Sequence, residues 1–172
     1  MKKGILILVS LLFVVAAFAF DQGTINLGGT VAFESVKANS DADAITVFTV
    51  NPIVGYFVMD NISADLNLAL VSYDGDLDFG IGIGARYFYN NFYGGLEFDY
   101  VSETWGDDTV SSMYLVPKLG YMMPLAENVF VDMGLKYKMG FGDYGGDGSG
   151  SNEYSQVHFG VGLQVFLADL FN

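Results

Sequence analysis

Few side chains in this sequence could do chemistry. His158 is the sole imidazole in 172 residues, and there is no cysteine. A thiolate nucleophile, a thiolate metal site and a disulfide framework are thereby excluded. No serine and acid can be placed beside His158 as a nucleophilic triad, so a polar residue satisfied inside the fold is its simpler reading. Gly80-x-Gly82-x-Gly84 has the glycines of a phosphate loop, but the spacing is that of one strand face and no helix follows. Small residues that make room for large ones opposite account for it. Asp143-Tyr144-Gly145-Gly146-Asp147-Gly148 carries acids at positions 1 and 5 and glycine at position 6 of a calcium loop, whereas position 3 is glycine and position 12 is Tyr154. Solvated acids are the default reading there. No cofactor and no metal site is expected, and the chain is read as non-enzymatic.

The remaining chemistry is charge. Twenty Asp and Glu face seven Lys and Arg, a net charge of −13. Phosphate binding needs clustered bases, so nucleic acid is excluded as a partner. The chain is 52% hydrophobic and only 16% charged. That is too apolar for disorder, and a soluble globule carries about 25% charge. Met1-Lys2-Lys3, the apolar run Gly4 to Ala17 and the small-x-small Ala17-Phe18-Ala19 read as a secretion signal over residues 1–19. A membrane anchor is the competing reading, but the run is short for one. Without Lys2 and Lys3, five bases face twenty acids, a net −15. Residues 20–172 form one domain.

These charges must be positioned by strands. Apolar and small or polar residues alternate over Thr24–Val36, Ala44–Phe57, Ile62–Tyr73, Leu77–Tyr89, Phe92–Glu103, Val110–Met122, Val129–Phe141 and Tyr154–Phe166, with turn-rich clusters between. Successive strand residues point to opposite faces. Val157, Phe159, Val161, Leu163 and Val165 therefore oppose His158, Gly160, Gly162 and Gln164, and Phe79, Ile81, Ile83, Ala85 and Tyr87 oppose Asp78, Gly80, Gly82, Gly84 and Arg86. Of the five bases, Arg86, Lys118, Lys136 and Lys138 lie mid-strand on the polar face, together with Glu34, Asp65, Asp78, Glu97, Asp99 and Asp132. Only Lys37 is in a loop, and the loops are acidic. Bases retained among acids fit an enclosed face, where unpaired charge is costly. Eight strands with charge inside and grease outside predict an all-β, antiparallel, up-and-down transmembrane β-barrel, closed because lipid tolerates no open sheet edge. Tyr56, Tyr87, Tyr89, Phe92 and Tyr121 at one rim, and Phe33, Phe48, Phe79, Tyr100, Tyr137 and Phe141 toward the other, suggest two interfacial girdles. The general preference of aromatics for strands competes with that reading.

Three segments carry a family resemblance. They are Asn51-Pro52-Ile53-Val54-Gly55-Tyr56-Phe57 running into Asp60-Asn61-Ile62, then Gly84-Ala85-Arg86-Tyr87-Phe88, and Gly160-Val161-Gly162-Leu163-Gln164-Val165-Phe166-Leu167. In this order they resemble the small eight-stranded outer-membrane barrels of Gram-negative bacteria, the opacity-type and OmpA/OmpX-like family. The resemblance implies insertion in the outer membrane, contact with its lipid and lipopolysaccharide, and biogenesis through periplasmic chaperones and the barrel-assembly machinery. It also implies an assembly signal at His158, Gly160, Leu163 and Val165, although Ala168 to Asn172 follow where such barrels often stop at an aromatic residue. A monomer is expected.

Pro52-x-x-Gly55-Tyr56 recurs as Pro117-x-x-Gly120-Tyr121, and Asn61-Ile62-x-x-Asp65-Leu66-x-Leu68 recurs as Asn128-Val129-x-x-Asp132-Met133-x-Leu135. Two four-strand halves, with a two-residue insertion in the turn near Pro124-Leu125-Ala126, would explain this. Chance similarity between alternating strands is the alternative. With both termini periplasmic, connections 2–3, 4–5 and 6–7 are periplasmic turns, and the acidic connections face outward.

A bore of eight strands is filled by side chains. Symmetric pairing about Gly75-Asp76 sets Asp65 opposite Arg86. Similar counting across connection 6–7 sets Lys118 opposite Asp132, with Glu97 and Asp99 in diagonal reach. Lys136 and Lys138 come nearer the outer mouth, with Glu34 as candidate partner. The expected function is a structural or surface-interaction barrel with an ion-paired lumen. A narrow cation-preferring channel lined by Glu34, Asp78, Glu97 and Asp99 is the alternative, and a lipocalin-like soluble carrier would need the apolar face inside.

Overall fold

Period-two alternation forces each segment to be extended, and the computed structural model places the strands where it runs. The structure describes residues 20–36, 45–73, 76–105, 108–141, 143–144, 150–151 and 155–168. The expected leader, most of the acidic connections, the calcium-like loop beyond Tyr144 and the tail after Ala168 lie outside them. The strands are β1 (Ile25–Val36), β2 (Ile45–Met59), β3 (Ile62–Tyr73), β4 (Asp76–Tyr89), β5 (Phe92–Trp105), β6 (Asp108–Ala126), β7 (Val129–Phe141), β8 (Asp143–Tyr144), β9 (Gly150–Ser151) and β10 (Ser155–Leu167). Eight of them close into one antiparallel barrel in the order β1-β10-β7-β6-β5-β4-β3-β2. β8 and β9 form a separate short ladder that the alternation did not announce.

Three two-residue turns gather at one end. Asp60–Asn61, Asn90–Asn91 and Glu127–Asn128 are the two residues between successive strands, and Asn61, Asn90 and Asn128 have φ of 61°, 53° and 64°. Asparagine tolerates this left-handed region because its short polar side chain bonds locally. Ile25 pairs with both Tyr56 and Leu167, so β1 starts at this turn end. The opposite end is the loop end.

Two expected registers are corrected here. β3 and β4 pair about 74–75, so Ser63 faces Arg86 and Asp65 faces Gly84. Lys118 faces Lys136, and Asp132 faces Met122. The second error arose because Pro124 does not end β6. That strand continues through Ala126 with a bulge between Pro124 and Ala126, and Asn128 takes the turn conformation. The two-residue insertion of the second half therefore lengthens a strand and leaves the turn unchanged. Both displacements are even, so every side chain keeps its face.

The halves also share an irregularity. Among the described pairs, the β2–β3 ladder skips Asn51 and Pro52, and the β6–β7 ladder skips Val116 and Pro117. Proline has no N–H to give to a ladder, which explains both gaps.

Faces separate cleanly. Outward side chains such as Val54, Leu66, Phe79, Ile81, Ile83, Leu96, Leu119, Leu135, Phe159 and Leu163 are exposed, as are Tyr56, Tyr87, Tyr89 and Phe92 around the turn end. Asp65, Asp78, Arg86, Glu97, Asp99, Lys118 and Asp132 are buried inside.

Candidate functional site

The lumen is stacked in layers that rise from the turn end. The lowest is aromatic. Phe57 of β2, Phe88 of β4, Phe130 of β7 and Phe166 of β10 are the inward residues nearest the turns, joined by Met122 of β6 and Tyr93 of β5. Phe20, just ahead of β1, completes the cluster. Phe20 stacks on Phe166 at 4.2 Å between centroids, and Phe88 meets Tyr93 at 5.6 Å. The backbone holds these residues to the turns. Phe57 N–H donates to Thr24 C=O (2.9 Å), Phe88 N–H to Asn61 C=O (2.8 Å), Met122 N–H to Asn91 C=O (2.6 Å) and Phe166 N–H to Asn128 C=O (2.8 Å).

Above this floor lies Arg86. Its guanidinium makes a two-pronged pair with Asp65, Nε to Oδ2 at 2.6 Å and Nη2 to Oδ1 at 2.9 Å. Nη2 also donates to Asn26 Oδ1 at 2.7 Å, and Ser63 Oγ donates to Asp65 Oδ1 at 2.8 Å. The plane sits 5.1 Å from the Phe88 centroid and 5.4 Å from that of Tyr93, where ring faces attract cations. The expected pair is thus present despite the shifted register. Arg86 is long enough to reach a diagonal neighbour, and Asp65 faces a glycine.

Asp132 does not pair with Lys118. It accepts from Tyr93 Oη at 2.9 Å and from Gln164 Nε2 at 3.0 Å. The Tyr93 ring lies across Gly120, where a Cβ would collide with it. Lys118 instead meets Glu97 Oε2 at 2.6 Å, and Lys136 stands 3.6 Å from Glu97 Oε1. Asn67 Nδ2 donates to the same carboxylate. Asp99 lies beside Glu97, and both carboxyls crowd over Gly82, whose missing side chain makes the room. The expectation for this glycine run is met.

Toward the loop end, Val101, Tyr114 and Val116 form a second apolar layer, and Lys138 Nζ lies 5.5 Å from the Tyr114 ring. Asp78 is buried at this level, and His158, half-buried, faces Lys136 across the β7–β10 ladder. The Glu34 side chain lies outside those described. Of the four positions assigned to an assembly signal, Leu163 is exposed and Val165 half-buried on the outer face, while His158 and Gly160 are on the inner one.

Sequence reasoning missed the aromatic floor and the polar partners Asn26, Ser63, Asn67, Tyr93 and Gln164. The signal was available. Phe88 shares parity with Arg86, Phe130 with Asp132, Phe166 with Gln164 and Tyr93 with Glu97, so each large ring falls on the polar face.

The whole barrel is similar to the crystal structure of the N-terminal β-barrel domain of Pseudomonas aeruginosa OprF, with a TM-score of 0.58. The match covers 86% of this chain and 100% of that one at 14% identity, a likeness of fold. No family model and no curated protein matches the chain.

Proposed function

We propose that the chain is a non-enzymatic integral outer-membrane β-barrel with a blocked lumen, serving the envelope as a structural element or by presenting acidic loops at the surface. The observation that carries this reading is the segregation of charge. Among the described strand side chains, every Asp, Glu, Lys and Arg of the barrel points inward, while the outer wall is a continuous apolar surface. In water such a wall exceeds by far the apolar patch a soluble monomer exposes. In a bilayer it is the required surface, and closure leaves no unpaired edge. The turn-end aromatics sit where a headgroup interface would meet the wall. Outer-membrane lipid and lipopolysaccharide are then the immediate partners, with delivery by a cleaved leader at 1–19, periplasmic chaperones and the barrel-assembly machinery, and a monomer as the working state.

The filled layers support a blocked barrel over a narrow cation channel. Glu97, one wall of that channel, is held by Lys118, Lys136 and Asn67, and Asp132 by Tyr93 and Gln164. The test is a planar-bilayer recording on refolded protein. Absence of steady openings is expected, whereas sustained cation-selective conductance would establish the channel reading. Recovery of the protein in buffer without detergent would overturn both and favour a soluble carrier.

A further inference from the structure

The barrel floor contains one ring that no barrel strand supplies. Phe57, Phe88, Phe130 and Phe166 hang from β2, β4, β7 and β10 and meet one another at 5.2 to 6.3 Å, and among the described residues Phe20 is the ring packed against all four. Its centroid is 4.2 to 6.0 Å from all four, and the residue is 6% exposed. The segment that delivers it is tied down atom by atom. Phe20 N–H donates to Asn61 Oδ1 at 3.0 Å, Asn61 N–H returns a bond to Phe20 C=O at 2.8 Å, and Gln22 N–H donates to Asp60 Oδ1 at 3.0 Å. Gly23, at φ 95°, turns the chain from this strap into β1, where its N–H reaches Phe57 C=O at 2.9 Å. A positive φ of that kind is open to glycine at little cost.

The strap is also where the expected leader ends. Ala17-Phe18-Ala19 offers the small-x-small pattern, and the next residue is the buried ring. We propose that Phe20 is the first residue of the mature chain and acts as its stopper: leader removal leaves a five-residue strap, 20–24, that folds back and seals the turn end of the lumen. Hydrolysis of the Ala19–Phe20 amide by a leader peptidase, with water as co-reactant, leaves a carboxylate on Ala19 and an ammonium on Phe20. That ammonium is the group that Asn61 Oδ1 then accepts from. Cleavage one residue later would discard the ring that packs against all four barrel phenylalanines. Because the strap is joined to the barrel at one end only, it is the last part of the floor to seat and the first to lift. This inference rests on the outer-membrane reading through the leader and the N-terminus it leaves, whereas the labelling readout does not.

The chain has no cysteine, so a single introduced thiol reports water access. Ser63 is 0% exposed, points inward and pairs with Phe57 at the level of the stopper. Full-length chain carrying Ser63→Cys is expressed with its own leader, purified from membranes in detergent, and treated with a charged methanethiosulfonate. Slow labelling is expected in this background and with Phe20→Leu added, and labelling about tenfold faster or more with Phe20→Ala, since exposure of a buried site tracks local opening. Heat-modifiable migration on gels and flotation with liposomes report separately whether each variant is a folded membrane barrel. Intact mass is expected to begin at Phe20. Equal labelling rates in folded parent and Phe20→Ala barrels, or any other N-terminus, would overturn the stopper, while failure to float would overturn the membrane reading alone.

Discussion

Arg86 is the residue on which most of the lumen converges. It bonds Asp65 and Asn26 and caps two aromatic rings, and its side chain is 1% exposed. Burying this charge costs several kcal/mol, which the two-pronged carboxylate offsets only while both partners are present. Arg86→Ala is therefore expected to lower unfolding stability in micelles by about 3–5 kcal/mol, because Asp65 is left buried without a countercharge, held by Ser63 Oγ. Asp65→Asn combined with Arg86→Met, which removes both charges, is expected to recover much of that loss. Urea midpoints for the three proteins decide it, and an Arg86→Ala midpoint equal to the parent's would show that the pair contributes nothing. The residue scale also explains why the wrong register still predicted the right pair. An arginine reaches beyond its direct neighbour, so a two-residue displacement that preserves parity is absorbed by side-chain length. Lys118 shows the opposite outcome: a four-residue displacement lies beyond its reach, and Glu97 takes the place of Asp132.

At the scale of elements, the three asparagine turns set the registers of the whole turn end. Each one closes a ladder and also supplies or borders the carbonyl that a neighbouring strand uses, as Asn128 C=O does for Phe166 N–H. A left-handed φ costs an ordinary L-residue about 1–2 kcal/mol. Asn128→Ala is thus expected to destabilise by roughly 1 kcal/mol and Asn128→Gly by much less, since glycine occupies that region freely. Chemical unfolding of both variants in the same detergent tests this, and identical midpoints for Ala and Gly would mean that the backbone angle is not limiting. The bulge at Pro124/Ala126 belongs to the same level of description. It lets β6 run past its proline and places Glu127–Asn128 as the turn, which no count of residue types near Pro124 discloses.

For the molecule as a whole, the question is which solvent bathes the outer wall. Ile83 lies mid-strand on that wall and is 62% exposed. In a bilayer, arginine at such a site costs about 2–4 kcal/mol near the midplane. On a water-facing wall an exposed substitution stays within about 0.5 kcal/mol. Ile83→Arg, measured by reversible unfolding in lipid vesicles, is expected to fall in the first range, and a change within the second would place the wall in water. The same partition explains the charge of the chain. The acids of the described lumen are largely balanced by Arg86, Lys118, Lys136 and Lys138, so the negative excess resides mostly in the connections and at the rims.

The number and direction of the barrel strands, and the inward placement of the charges whose side chains are described, were legible in the sequence because side-chain parity is a local property of an extended backbone. The first and last strands follow the same period as the rest, so closure could be argued from the need to hide an edge. Partner identity was not legible. Which acid meets Lys118, and which rings meet at the floor, depends on where a turn is centred, on a bulge after Pro124 and on the stagger between strands far apart in the chain. Phe20 makes the point most sharply. Its type and position beside Ala19 are plain in the sequence, yet only the closed barrel brings Phe57, Phe88, Phe130 and Phe166 against it, because those four residues come from strands far apart in the chain whose inward faces converge at the turn end.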